Sequence, residues 1–396
     1  MPLAPASERL SADTRALTDE VISLRREFHR HPELNFDLPW TSARVAEYLK
    51  GLGLNPMTGI GKSGVVAILE GARPGKTALY RADMDGLPLM EETGLPYASE
   101  NKGQMHACGH DGHIAVALTL AKLMTQRKND FAGRIAFLFQ PAEEGGGGAE
   151  VMIEDGVLDK VKPDVCFAMH LNNDEDSGVI AARPGPVFAG SGEFYVTLTS
   201  KGGHGAAPHQ TVDLIMVAAQ MITALQSVVS RNVDPRESIV VTVGQVHIGT
   251  KTNILPTRGE FSGTIRYFDS ELNHRVVTRV NELLGAIAQA HGAGYEFVYE
   301  PGYPATVNDP RVTTMVRETL EPIVKISDYW TTGSEDMSYF LERVPGCYWS
   351  LGTKNVEKGK IYPHHSGKFD VDEDALIVGV EVAARVLEKY LGGVSR

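Results

Sequence analysis

At 396 residues the chain is long enough for two or three domains, each with its own core. Its 42% apolar and 22% charged residues are ordinary for a globular protein, and its three cysteines are too few for a disulfide framework, so a reducing compartment is expected. A net charge of −12 argues against nucleic acid or an anionic membrane as the main partner, because both need a basic footprint.

The opening, MPLAPASERLSADTRAL, lacks a basic stretch followed by an apolar one, so no signal peptide and a cytoplasmic location are expected. Leu17, Val21, Leu24 and Phe28 then recur at helical spacing, and the segment stops at His31-Pro32. His29 and His31 sit at this helix end and read as structural, since a histidine there interacts well with the helix dipole. A second amphipathic helix is predicted near Thr41 to Leu52. Two apolar runs bounded by glycines follow, Val65 to Leu69 and Ala78 to Tyr80, the latter continuing to Asp83. Next come a helix at Ile114 to Met124, a strand at Ile135 to Phe139, a short helix at Val151 to Ile153 and a strand at Val165 to Met169. No apolar run reaches membrane-spanning length, Leu118 to Met124 being broken by Lys122. Runs apolar on both faces, alternating with helices, predict an α/β domain with a mostly parallel central sheet and helices on both faces.

Arg183-Pro184-Gly185-Pro186 reads as a linker. Beyond it Phe194, Val196 and Leu198 alternate with polar residues, as in a half-exposed antiparallel strand. A helix from about Thr211 to Ser230, strands near Ser238 to Ile248 and Glu260 to Arg266, a helix from Leu272 to Ala290 and a strand at Tyr295 to Tyr299 complete the order β-α-β-β-α-β. That order is a ferredoxin-like α+β unit, of a size that suits an insertion. The α/β character then returns with a helix around Val312 to Leu320, an apolar run at Cys347 to Leu351 and a closing helix from Asp374 to Leu391. The expected division is 1–186, 187–300 and 301–396. The longest low-complexity tract is Gly145 to Gly148.

Chemistry concentrates in Met105 to His113, M-H-A-C-G-H-D-G-H. Cys108 and His110 lie two apart, so on an extended or tightly turned backbone both can face one point. Soft sulfur with borderline imidazole suits a first-row transition ion better than calcium or magnesium. Asp83 and Asp85, Glu143 and Glu144, and His170 each follow a predicted strand, and the carboxyl ends of parallel strands share the edge where sites are built. One of His364 and His365 would complete the set. A pair of ions could polarise an amide carbonyl and drop the pKa of water toward ~7, for a carboxylate to take its proton. A competing reading is a metal-free hydrolase with Cys108 as nucleophile and His110 or His113 as base; it leaves the glutamate pair and the remote histidines unexplained. A third is a catalytically dead binding protein, against which Glu143 argues, since a mere binder would not need a base.

The segments LYRADMDGLP, MHACGHDGH, FQPAEEGGGGAE, FAMHLN, KGGHGAAP, TNILP, SGTIR, GSEDMSYF and HHSGKFDVDE resemble the M20 metallopeptidase family, most closely its amidohydrolase branch of hippurate, N-acyl-amino-acid and auxin-conjugate hydrolases. The resemblance implies two divalent ions per subunit (zinc, manganese, nickel or cobalt) held by Cys108, His110, Glu144, His170 and His365, with Cys108 in place of the bridging carboxylate of other branches. It implies Glu143 as general base and Asp85 as the aspartate beside the first metal-binding position, here Asp83. It also implies a lid and dimerisation role for the inserted unit, in which His204 reaches an active site and Asn253 and Arg266 hold substrate. The implied activity is cleavage of the amide of an N-acyl amino acid or similar small conjugate by a homodimer or dimer-based oligomer. An aminoacylase or carboxypeptidase-like dipeptidase is the alternative within the family. Gly367 stands where many relatives have proline. His209 and Cys166 read as structural.

Overall fold

The computed structural model describes residues 9–392 and divides into two compact units. The first takes the described residues up to Val187, then Val307–Trp330 and the chain from Asp336 onward; the second is Phe188–Thr306 with Thr331–Glu335.

The first unit is built on an eight-stranded sheet in the order Met57–Ile60, Gly64–Glu70, Ala132–Gln140, Arg73–Asp83, Val165–Asp176, Gly346–Lys354, Ile180–Ala181, Ile326–Ser327. The four inner strands, from Ala132–Gln140 to Gly346–Lys354, run parallel. The expected parallel character therefore belongs to the middle of the sheet. Met57–Ile60 and Gly64–Glu70 form a hairpin over a short turn, which only an antiparallel pair can close, and Gly64–Glu70 runs antiparallel to Ala132–Gln140. Ile180–Ala181 is antiparallel to Gly346–Lys354 and parallel to Ile326–Ser327.

The inner strands are buried on both faces. Val65, Tyr80, Phe137, Phe139, Phe167 and Met169 join Phe28, Val45, Leu118 and Val380 from the helices Thr18–Arg30, Pro39–Gly51, His110–Gln126 and Leu376–Tyr390 in one core. The alternate residues Val66, Leu79, Leu138 and Cys166 are equally buried on the opposite face. There the Cys166 sulfur and Leu341, from the helix Ser338–Leu341, fill the space that a side chain at Gly346 would need, and the Cys166 thiol donates to the Val344 carbonyl (3.4 Å). Most of His110–Gln126 is buried, its polar first turn at the site and the apolar run from Ile114 onward in the core.

His29 is also buried, but its partners are carboxylates rather than the helix dipole: Nδ1 lies 2.7 Å from Asp111 Oδ2. His31 stacks on Trp40.

The second unit is a four-stranded antiparallel sheet in the order Ile239–Ile248, Arg258–Tyr267, Gly190–Thr199, Gly294–Pro301, with the helices Leu214–Asn232 and Ser270–His291 packed on it. Its chain order is the expected ferredoxin-like one. It reaches past the expected boundary of residue 300 because the Ser191 N–H donates to Tyr303 O, the Gly302 N–H to Ser191 O and the Ala189 N–H to Gly333 O. The backbone pairing of its first strand thus draws in both flanking stretches.

Leu214–Asn232 corrects the expectation that no apolar segment is long enough for a span. It has 19 residues and a mean hydropathy of 1.4, which meets that test by length and composition alone. Its stripe of Leu214, Val217, Ala218, Met221, Leu225 and Val228 is buried in the core of this unit.

Candidate metal centre

The site residues of the first unit gather at the carboxyl edge of the parallel strands. Gly109 adopts φ +88°, a left-handed turn that places Cys108 in the loop and starts the helix at His110. His170 is not past the end of its strand as expected. It lies inside Val165–Asp176 because Gly346–Lys354 keeps pairing beyond it, with Ser350 opposite His170.

Two overlapping groups of donors result. Cys108, His110 and His170 each offer an atom within 4.8 Å of the others, and so do Cys108, Glu144 and His365; the thiol is common to both. Cys108 Sγ is 3.5 Å from His170 Nε2, and Glu144 Oε1 is 3.4 Å from His365 Nε2 and 3.8 Å from His110 Nε2. Glu143 joins Glu144 and His110 in a third group, its Oε2 3.9 Å from His110 Nε2.

The imidazoles are oriented from behind. His110 Nδ1 donates to the Asp85 carbonyl (2.8 Å) and His170 Nδ1 to the Leu171 carbonyl (2.6 Å), which turns each Nε2 toward the cluster as the atom an ion would take in place of a proton. His110 Nε2 and Glu144 Oε1 are buried and make no hydrogen bond of good geometry, a state that a cation between them would relieve. One thiol, three imidazoles and a carboxylate fit a borderline transition ion.

His365 and His364 separate by backbone. His365 takes φ +60° and its N–H donates to Ala107 O (2.9 Å), which turns its ring to Glu144. His364 is turned inward, where its Nε2 accepts the Asn173 N–H (3.4 Å).

Asp85 holds the glutamate pair by its backbone. Oδ1 accepts the Glu143 N–H (2.9 Å) and Oδ2 the Glu144 N–H (3.2 Å). His113 is held on both sides: its Nε2 accepts the Leu171 N–H (2.9 Å) and its Nδ1 lies 2.5 Å from Asp83 Oδ1. Asp83 Oδ2 in turn accepts from Arg81 Nη1 (2.6 Å), whose fork also reaches Gln140 (2.8 Å) and Asp336 (2.8 Å). Arg81 and Gln140 lie at or near strand ends and Asp336 just before the helix Ser338–Leu341, and residue type and spacing give none of the three a part. The segments LYRADMDGLP, FQPAEEGGGGAE and GSEDMSYF contain one each, but only the fold joins them.

The electrostatics follow from buried acids around imidazoles. Burial lowers the proton affinity of His110, but Asp83, Asp85 and Glu144 outweigh it and hold the ring up to about 10. Burial, then Glu144 and Glu143, pushes the Cys108 thiol far above its ordinary range. Burial drives His170 well below the usual imidazole range and His364 down to about 4.

In the second unit, His204 pairs with Ile254 and the Gly205 N–H donates to Asn253 O (2.9 Å), so the G-G-H-G and T-N-I-L-P segments are one structure. His204 is exposed, its Nδ1 accepting the Ala206 N–H (3.0 Å). Arg266 lies on the sheet between Val240 and Ser191. His209 is exposed in a single 3-10 turn.

The model of the peptidase family M20/M25/M40 matches residues 79–389. The chain is 41% identical over 388 residues to thermostable carboxypeptidase 1 of Saccharolobus solfataricus, covering 97% of this chain and 98% of that protein. It is 44% identical over 297 residues to an N-acyl-L-amino acid amidohydrolase of Geobacillus stearothermophilus, covering 74% and 80%. A crystal structure of a dinuclear metal-binding M20 peptidase from Bacillus subtilis superposes with a TM-score of 0.85 at 31% identity, over 96% of this chain and all of that one. A family match over most of the chain, with relatives this similar along nearly its whole length, establishes that the chain belongs to the peptidase family M20/M25/M40.

Proposed function

We propose that this chain hydrolyses the amide of an N-acyl amino acid, with two divalent ions held by Cys108, His110, Glu144, His170 and His365 and with Glu143 as general base. Membership of the family makes it a hydrolase of amide bonds; substrate and residue roles are our reading. The observation that carries it is the pair of donor groups sharing Cys108, with Glu144 in one of the two and Glu143 in neither. Ions bound there would supply Lewis acidity to the amide carbonyl and lower the pKa of water.

The residues do the rest. The Asp85 carboxylate fixes the backbone of both glutamates, so their side chains take separate stations. Glu143 accepts a proton from the attacking water as the oxygen adds to the amide carbon, and returns it to the nitrogen as the C–N bond breaks; the products are a carboxylate and an amine. His204 is proposed as a donor to substrate, with Asn253 and Arg266 as substrate-holding residues, on the strength of their motif positions. A homodimer or dimer-based oligomer, zinc, manganese, nickel or cobalt as the resident metal and a cytoplasmic location belong to the same proposal.

Cys108 as a metal-free nucleophile is disfavoured. Such a cysteine needs a lowered pKa, and here burial and two carboxylates raise it. The carboxypeptidase-like alternative has one specific support, the name of the Saccharolobus relative. A panel of N-acetyl, N-benzoyl and indole-acyl amino acids beside dipeptides, run after exhaustive chelation and with each metal restored, tests the reading. Turnover of N-acyl amino acids that vanishes on chelation and returns with metal supports it; turnover that survives chelation overturns it.

A further inference from the structure

His365 stands apart from the other donors. Its side chain is 56% exposed, and it comes from a loop between the strand Gly346–Lys354 and the 3-10 turn Glu373–Ala375 that precedes the final helix. Cys108, His110, Glu144 and His170 are set by a helix start, by strand pairing and by Asp85. His365 is set by how its segment is pinned.

Part of that pinning is backbone: the His365 N–H reaches Ala107 O (2.9 Å) and the Glu92 N–H reaches Gly367 O (2.6 Å). Lys360 pairs with Asp370, and Ser177, Asn355 and Lys358 hold Asp372, but the side-chain link from this segment to the His110 helix start runs through Arg25, fully buried in the helix Thr18–Arg30. Its Nη2 donates to Asp370 Oδ1 (2.7 Å) and its Nη1 to Glu373 Oε1 (3.3 Å), both beyond His365 on the same segment. Its Nε donates to Asp111 Oδ2 (2.8 Å), in the residue next to His110. The Asp370 carbonyl accepts from Asn173 Nδ2 (2.9 Å), which also holds the Tyr362 carbonyl (2.9 Å), so the Asp370 end is tied back to the loop around the histidine. One planar guanidinium thus spans the start of the His110 helix and the His365 segment, a task for three forked donors that an ammonium cannot repeat.

We propose that Arg25 is a positioning residue that sets the spacing between His365 and the Cys108–His110 pair, and so governs retention of the ion reached by Cys108, Glu144 and His365. This rests on the two-ion reading above. The rings of the other group are held by contacts of their own: His110 Nδ1 donates to the Asp85 carbonyl and His170 Nδ1 to the Leu171 carbonyl, and neither acceptor is a partner of Arg25.

The test is equilibrium dialysis of the full chain against buffered zinc, with ions counted per chain, on wild type, Arg25→Lys, Asp370→Asn and Arg26→Ala. Asp370→Asn leaves the Asp111 arm in place while removing the carboxylate charge that Arg25 and Lys360 share, and serves where Arg25→Lys does not fold. Arg26 grips the same Glu373 from the surface, 43% exposed, and is the control. The expected result is two ions on wild type and on Arg26→Ala, but on Arg25→Lys and Asp370→Asn one tight ion and a second at least tenfold weaker, with wild-type kcat regained at saturating zinc. Both ions held within twofold of wild type in Arg25→Lys or Asp370→Asn overturns the proposal. Equal weakening of both ions together with a lower Tm also overturns it, because a purely structural cluster does that. A wild-type chain holding fewer than two ions overturns the two-ion reading, and this proposal with it.

Discussion

Glu143 and Glu144 are adjacent in sequence and both face His110, yet only Glu144 also lies within reach of His365 and Cys108. If Glu143 moves protons and Glu144 holds an ion, Glu143→Gln should lower kcat by about 10²–10⁴-fold, the usual share of a positioned acid–base group. The zinc count and the melting temperature should stay at wild-type values. A matching loss of metal would instead make Glu143 a ligand. Much of this site was readable from residue type and spacing: a thiol and an imidazole two apart, acids after apolar runs, histidines beyond. What spacing cannot show is work done through the backbone. Asp85 acts on two N–H groups 58 and 59 residues away, and Arg81 meets Asp336 across 255. Which of His364 and His365 turns toward Glu144 was likewise closed to residue chemistry alone; it follows from one positive φ.

At the scale of elements, the run Gly145 to Gly148 reads from sequence as a bland tract, yet it shapes the turn that carries the glutamates. Gly145 and Gly147 take φ +118° and +64°, and the Gly148 helix start packs so closely that an added Cβ would lie 1.7 Å from Pro141 O. Because that neighbour is backbone, it cannot swing aside. Gly148→Ala should therefore cost about 1–3 kcal/mol of stability and loosen metal retention with it, read as a lower Tm and a lower zinc affinity in one preparation. The strands themselves were legible as apolar runs, but not their partners: nothing in Val65 to Leu69 says that it pairs antiparallel with a strand beyond the next one. A second element-scale link ties the short helix Ala12–Arg15 to the last helix, where buried Glu381 accepts from Ser11 Oγ (2.8 Å), Thr14 Oγ1 (2.5 Å) and Arg385 Nε (2.7 Å). Burial raises its pKa, but those donors outweigh it and hold the carboxyl below its ordinary value. A lowered folded value means a contribution present above the unfolded pKa of about 4.3 and lost as pH falls through the folded one. Glu381→Gln should thus narrow its stability gap to wild type as pH drops below about 4, measured as Tm against pH; a constant gap would mean that the carboxylate charge is not what matters there.

For the whole molecule, the decisive feature is that the two units close separate cores. Phe28, Phe137, Phe167 and Val380 belong to one cluster; Phe194, Met221, Phe261 and Leu284 belong to another. All five proposed metal ligands lie in the first unit, while His204, Asn253 and Arg266 lie in the second. An ion that binds only the folded first unit stabilises that unit by mass action, about 2.7 kcal/mol at a hundredfold excess over Kd, and leaves the second untouched. Calorimetry should therefore resolve two transitions, with the larger moving up by several degrees on zinc addition and down on chelation while the smaller stays in place. The sequence order β-α-β-β-α-β made the second unit visible as a self-contained fold, and this measurement asks whether it melts as one. A single transition that moves whole with metal would mean that the two cores unfold as one cooperative body.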